Sequence, residues 1–162
     1  MADPLYTLLF SLLLVTLGLG LLPLPSQAQP KKSPNLLEDI KINPQFSNPI
    51  LLRGLSGGTT PAQNVAGRAE TTTGPCVGFV NDKPDHTLVL PEFFKYLSLQ
   101  VQSPEDTTLV VRGPGGSWCN DDNQGKNPGL VGQWLAGSYQ IWVGTYNKTK
   151  FHPYQLRITK GR

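Results

Sequence analysis

Charge is scarce in this chain. Asp, Glu, Lys and Arg make up 15% of its 162 residues, where a soluble domain carries about 25%. The basic residues are dispersed singly (Arg53, Arg68, Lys83, Lys95, Arg112, Arg157), with only Lys31 and Lys32 adjacent. Nucleic-acid binding needs a dense basic face, so that class is set aside. Histidine is nearly absent too: His86 and His152 stand in separate segments, neither beside a His or Cys at zinc-ligand spacing. A G-x-S-x-G elbow, a phosphate-binding loop and a dinucleotide glycine fingerprint are all missing. Gly54-Leu55-Ser56-Gly57-Gly58 comes nearest to the serine elbow, without the strand-to-helix setting that motif requires. Glu105 and Asp106 are adjacent, so on a strand they point to opposite faces and cannot act as paired carboxylates. An enzyme with an unfamiliar site is therefore the minor alternative, and the chain reads as non-catalytic.

The one long apolar run is N-terminal, Leu5–Leu22, followed by Pro23-Leu24-Pro25-Ser26-Gln27-Ala28. This pattern predicts a signal peptide over 1–28, removed after Ala28; an uncleaved membrane anchor is the alternative, since the run is about long enough to span a bilayer. Export would end in the periplasm, a thylakoid lumen or the medium. Without the leader the chain keeps all 14 basic residues and sheds Asp3, so its formal charge rises from +3 to +4. The remaining length, about 134 residues, suits one domain with a sizeable core. Residues 29–49, rich in Pro, Lys, Asn and Ser, are expected to be a flexible lead-in that lends a few residues to the domain edge. The domain itself is expected over 50–162.

Helical periodicity is also lacking after the leader, whereas Gly (17) and Pro (15) are plentiful. What is present is alternation. Leu97, Leu99 and Val101 share one face of a strand; so do Leu109 and Val111, then Tyr139, Ile141 and Val143, then Leu156 and Ile158. Ile50–Arg53, Cys76–Val80, His86–Leu90 and Leu130–Leu135 supply further strands, Thr59–Pro75 is loop-like, and Gly113-Pro114-Gly115-Gly116 is a tight turn. The prediction is an all-β antiparallel sandwich of jelly-roll type, with about eight or nine short strands.

Two cysteines in an exported chain are expected to pair, Cys76 with Cys119. By loop-closure entropy such a bond stabilises by roughly 4 kcal/mol, less any strain. Two free buried thiols are the alternative in a reducing compartment.

From Asp106 the order is Asp-Thr-Thr-Leu-Val-Val, Gly-Pro-Gly-Gly, Cys-Asn-Asp-Asp, Asn-Pro-Gly, Ala-Gly-Ser-Tyr-Gln-Ile-Trp-Val-Gly and a final Tyr-Gln-Leu-Arg-Ile-Thr. This series resembles the bacterial pre-peptidase C-terminal (PPC) type of β-sandwich over Cys76–Thr159. With Pro84-Asp85-His86-Thr87-Leu88 it is similar to small uncharacterised exported proteins of cyanobacteria. The resemblance implies a non-catalytic accessory module, some relatives of which bind Ca²⁺ or extracellular polymers.

Two places carry candidate chemistry. Asn120, Asp121, Asp122 and Asn123, with Asp106 and one of Asp82 or Asp85, supply the hard oxygens Ca²⁺ takes, in a spacing that is not the EF-hand loop. Affinity would be of extracellular type, about 10⁻⁴–10⁻³ M. The competing reading is that these residues cap turns. Trp142 and Tyr146 share the face opposite Tyr139, with Gly144 between them. Joined by Trp118 and Trp134 they would form an aromatic platform for a sugar or a protein, against ordinary packing of a covered second face. The expected function is an exported binding or accessory module contacting an extracellular polysaccharide or protein. A structural subunit docking through a sheet edge onto an envelope or membrane-associated assembly is the second reading.

Overall fold

β-Branched and aromatic residues in strict alternation built the expected strands, and the computed structural model describes them over residues 38–161. The predicted signal peptide over 1–28, and 29–37 of the lead-in, lie outside the described residues. In chain order the elements are β1 (Glu38–Lys41), β2 (Ile50–Ser56), β3 (Thr60–Pro61), α1 (Ala62–Ala66), β4 (Glu70–Thr71), β5 (Gly74–Pro75), β6 (Phe79–Val80) and β7 (His86–Leu90). They continue as β8 (Phe94–Gln102), β9 (Thr107–Gly113), β10 (Gly116–Asn120), β11 (Gly129–Trp134), β12 (Gly137–Thr145) and β13 (His152–Lys160).

Two sheets face each other. In the larger, β12 is the hub, antiparallel to β7, β9 and β6; β1 adds parallel to β7, β10 antiparallel to β9, and β3 to β6. The smaller sheet runs β11-β8-β13-β2, antiparallel throughout. Between them lies the main core, with Leu88, Leu109, Val111, Ile141 and Val143 from one sheet against Leu52, Leu97, Leu99, Val101, Leu156 and Ile158 from the other. Apart from Leu52 and Leu88, these are residues whose alternation put them on a shared face.

The architecture is the predicted all-β sandwich, but three local expectations need correction. The domain begins before residue 50: β1 pairs with β7 over Glu38–Lys41, Ile42 is buried and Phe46 packs on the core beside Phe94. Few apolar residues sufficed there because an edge strand buries only one side. Thr59–Pro75 is not plain loop; it holds β3, the single-turn α1 and the β4–β5 hairpin. These elements, two to five residues long, are too short to display a period. Finally, Gly116–Asn120, outside every expected strand, forms β10, with Trp118, Cys119 and Asn120 paired with Val111, Val110 and Leu109. The β9–β10 turn ahead of it needs Gly115, at φ +94°, a conformation that strains other residues.

Between β3 and β6, α1 and the β4–β5 hairpin form a small third layer on the outside of the larger sheet. Ala62, Ala66, Cys76 and Val80 pack there with Val110, Cys119 and Trp142 in a second core. Cys76 and Cys119 are disulfide-bonded with their Cα atoms 5.1 Å apart, as expected, and both are buried.

Candidate functional site

The open side of the sandwich lies between β10 and β11, the outer strands of the two sheets there. β10 brings Trp118 to it, β11 brings Leu130 and Trp134, and β12 brings Tyr139. Tyr139 lies flat over Gly113, where a Cβ would sit 2.2 Å from its ring, so that glycine makes room for the aromatic floor. The Trp134 and Tyr139 rings meet edge-on at 4.9 Å, and Trp118 leans over them at 6.4 and 6.3 Å. Trp134 and Tyr139 are buried and Trp118 half-buried. Around this floor Phe93, Val131 and Leu135 stand 45%, 58% and 54% exposed. The cleft so formed has a volume of about 320 Å³ and no charged residue in its lining, inside the size range of small ligand sites.

Three of its polar groups are already engaged. Trp134 Nε1 donates to the Leu97 carbonyl at 3.1 Å, and the Tyr139 hydroxyl to the Leu135 carbonyl at 2.9 Å. Burial pushes the Tyr139 phenol above its ordinary value, against that hydrogen bond. Thr73 Oγ1, on the rim, donates to the Cys119 carbonyl at 2.8 Å. The lining therefore offers apolar contact and stacking, with no nucleophile, acid or base. Ser56, of the elbow-like Gly54–Gly58 run, is fully buried and donates to the His152 carbonyl at 3.1 Å.

The four aromatic candidates separate. Trp118 and Trp134 meet in the cleft as described. Trp142 does not join them: it is 3% exposed, sealed beneath α1 and the disulfide. The platform expected of Trp142 with Tyr146 is corrected accordingly, because the third layer covers that face. Tyr146 is exposed and its hydroxyl donates to Asp121 Oδ2 at 2.8 Å, which pushes its pKa up to about 12.

The acidic residues separate as well. Asn120 Oδ1 accepts from Gly129 N at 2.9 Å and its Nδ2 donates to the Thr73 carbonyl at 3.0 Å. Asn123 Nδ2 donates to Gln100 Oε1 at 2.8 Å. Both asparagines thus tie the β10–β11 loop down instead of converging on one point. Asp106, Asp121 and Asp122 lie within electrostatic reach of one another: burial raises the Asp106 pKa first, Asp122 and Asp121 add to it, and Lys126 opposes them. Among the described residues, no three His, Cys, Asp or Glu side chains are gathered closely enough to hold a metal ion. Asp82 accepts the Thr60 hydroxyl. Asp85 is buried at the start of β7, where its carboxylate accepts Val143 N and Asn81 Nδ2, each at 2.8 Å.

Phe93, Val131, Leu135 and Tyr139 went unnoticed as site residues in the sequence. Tyr139 carried the alternation signal of a core residue, which it is; what alternation cannot show is that the core opens beside it.

Fold and cleft together define a disulfide-tied, all-β sandwich module with an uncharged aromatic cleft at one open side. No protein-family model matches the chain. It is 32% identical over 114 residues to an uncharacterised protein of Synechococcus elongatus, a match covering 68% of this chain and 75% of that protein, and it belongs to the family of that cyanobacterial protein. Among solved structures it is similar to the pre-peptidase C-terminal domain of collagenase from Bacillus anthracis, at 15% identity and a TM-score of 0.46, covering 75% of this chain and 95% of the domain. It is also similar to PliG of Aeromonas hydrophila, a periplasmic inhibitor of g-type lysozyme, at 14% identity and a TM-score of 0.40, covering 76% and 98%. Neither likeness bears on activity or partner.

Proposed function

We propose that this protein is a non-catalytic, extracytoplasmic binding module whose ligand or partner occupies the Trp118–Trp134–Tyr139 cleft. The observation that carries the reading is the cleft itself: three aromatic rings, Trp134 and Tyr139 with their polar atoms satisfied, an uncharged lining and an exposed apolar rim. Exposed apolar surface gathered around a concavity is costly in water unless something covers it. Location outside the cytoplasm is supported by the Cys76–Cys119 bond, which persists in oxidising compartments. The reading gives Asp106, Asp121 and Asp122 at most a weak structural affinity for Ca²⁺, because Asn120 Oδ1, expected to help complete a site, is engaged by Gly129 N.

The test is Trp118→Ala. Trp118 stands over the cleft and only half-buried, so its removal is expected to leave folding nearly intact while abolishing retention on whichever exported polymer or protein holds the wild type. Retention that survives Trp118→Ala but is lost on removing Tyr146 would move the site to the acidic loop and sink this reading.

A further inference from the structure

The two strands that border the cleft treat their outer edges differently. On β10, the outward N–H of Cys119 donates to Thr71 Oγ1 at 3.0 Å and its carbonyl accepts from Thr73 Oγ1 at 2.8 Å, so side chains from β4 and the β4–β5 turn close that edge. On β11 nothing of the kind occurs beyond Gly129. Val101 N donates to the Pro128 carbonyl at 3.0 Å, which fixes the ladder's alternation as far as Gly132. Leu130 and Gly132 turn their backbone groups to β8, while Gly129 and Val131 turn theirs outward, and Gln133 follows them by the strand's own alternation across the register shift between Gly132 and Trp134. Gly129 N donates outward to Asn120 Oδ1. The outward N–H and C=O of Val131 and Gln133 have no partner among the described residues.

The inward side of the same strand has a gap. Leu130 and Trp134 fill their positions, but a Cβ added at Gly132 between them would meet nothing within 4 Å. A strand laid along β11 would continue the small sheet and, by the two-residue period, direct every second side chain into the cleft above Trp118 and Trp134. The lining carries no charge to receive an ionic group, so those side chains must be uncharged and bulky.

We propose that β11 is a strand-addition site: an extended segment of another protein, with uncharged apolar side chains at alternate positions, pairs with Val131 and Gln133 as a fifth strand of the small sheet and fills the cleft. This rests on the binding-module reading and specifies its partner and mode. Free sheet edges are ordinarily blocked in proteins; here one edge is blocked and the other, beside the aromatic cleft, is open.

The probe is a capped synthetic peptide alternating threonine with leucine and phenylalanine, titrated into the oxidised protein with tryptophan fluorescence and amide exchange as readouts. Saturable quenching is expected, with slowed exchange at the Val131 and Gln133 amides. N-methylating the peptide amides that face β11 should weaken binding about tenfold, the effect of one lost hydrogen bond of about 1.4 kcal/mol. Val131→Pro should do the same while leaving the melt unchanged, because the N–H it removes points away from β8. Quenching that is indifferent to N-methylation and to Val131→Pro would overturn strand addition while leaving the cleft as a binding site. So would quenching by a neutral chito-oligosaccharide with no response to the peptide. No response to either probe would overturn both readings.

Discussion

Trp142 and Trp118 sit on strands of the same sheet, β12 and β10, yet they belong to regions built on opposite plans. Around Trp142 a third layer of α1 and the disulfide closes over the sheet, leaving it 3% exposed. Around Trp118 no described residue closes over the cleft: the sheets part and the rim shows Phe93, Val131 and Leu135 to solvent. The difference teaches that a large aromatic residue on a strand becomes available to a partner through what the chain fails to place over it.

The largest effect should come from breaking the covered region. Trp142→Ala leaves a cavity in the second core, and truncating a buried Trp costs about 3–5 kcal/mol, so the melting midpoint is expected to fall steeply. Trp142 Nε1 is buried without a hydrogen-bond partner among the described residues. Trp142→Phe removes that orphan donor together with some packing, and should therefore cost far less, near neutral in denaturant titration. Binding at the cleft should be unchanged in Trp142→Phe, the reverse of Trp118→Ala. A large loss of stability in Trp118→Ala with little in Trp142→Ala would invert the comparison.

Next comes pH, which should act on stability and spare the cleft. Burial pushes the Asp85 carboxyl from 3.8 up to about 6, with hydrogen bonds from Val143 and Asn81 opposing. A folded-state pKa above the unfolded one means that the native protein holds the proton more tightly. Asp85 therefore favours the fold most below about pH 4, and that advantage is lost as pH rises to about 6, by about 3 kcal/mol. The Tyr154 hydroxyl, held above its ordinary value by burial and then by Asp85, stays protonated throughout this range, and groups outside this pocket are common to wild type and variant. The difference between wild type and Asp85→Asn in melts from pH 4 to pH 7 thus isolates the carboxyl: the variant's slope should be flatter. Affinity at the cleft should stay level over the same range, because no acid or basic side chain lines it.

How much of this was legible follows from the physics of the signals. The sandwich, its inward faces and the Cys76–Cys119 pair could be read because a period of two and an even cysteine count survive in one dimension. The third layer could not, because α1, β4 and β5 are too short to show a period and owe their conformation to the sheet they cover. Trp142 was consequently assigned to the right face and given the wrong surroundings. The acidic loop misled differently: Asp and Asn serve turns and cations equally well, and only the observed partners of Asn120 and Asn123 separate the two uses. The cleft was half visible, since Trp118 and Trp134 were on the page as candidates while the free edge of β11 is a property of sheet order alone.

Calcium should produce the smallest effect, and its size sharpens the contrast between the loop and the cleft it adjoins. Three carboxylates, Asp106, Asp121 and Asp122, share one neighbourhood with Lys126 as a resident cation, and Asp121 already accepts the Tyr146 hydroxyl. With Asn120 Oδ1 engaged by Gly129 N, the side chains gathered there supply fewer oxygens than the six to eight that Ca²⁺ takes. For a dissociation constant of about 1 mM, 5 mM Ca²⁺ adds about 1 kcal/mol, or about 3 °C in the melt of a domain this size. Asp106→Asn should abolish even that shift. It should also raise stability slightly without metal, since it relieves a desolvated carboxylate facing two others. A Ca²⁺-dependent rise of ten degrees or more would mean that the loop rearranges into a true site, and the acidic end would displace the aromatic cleft as the part of this molecule that binds.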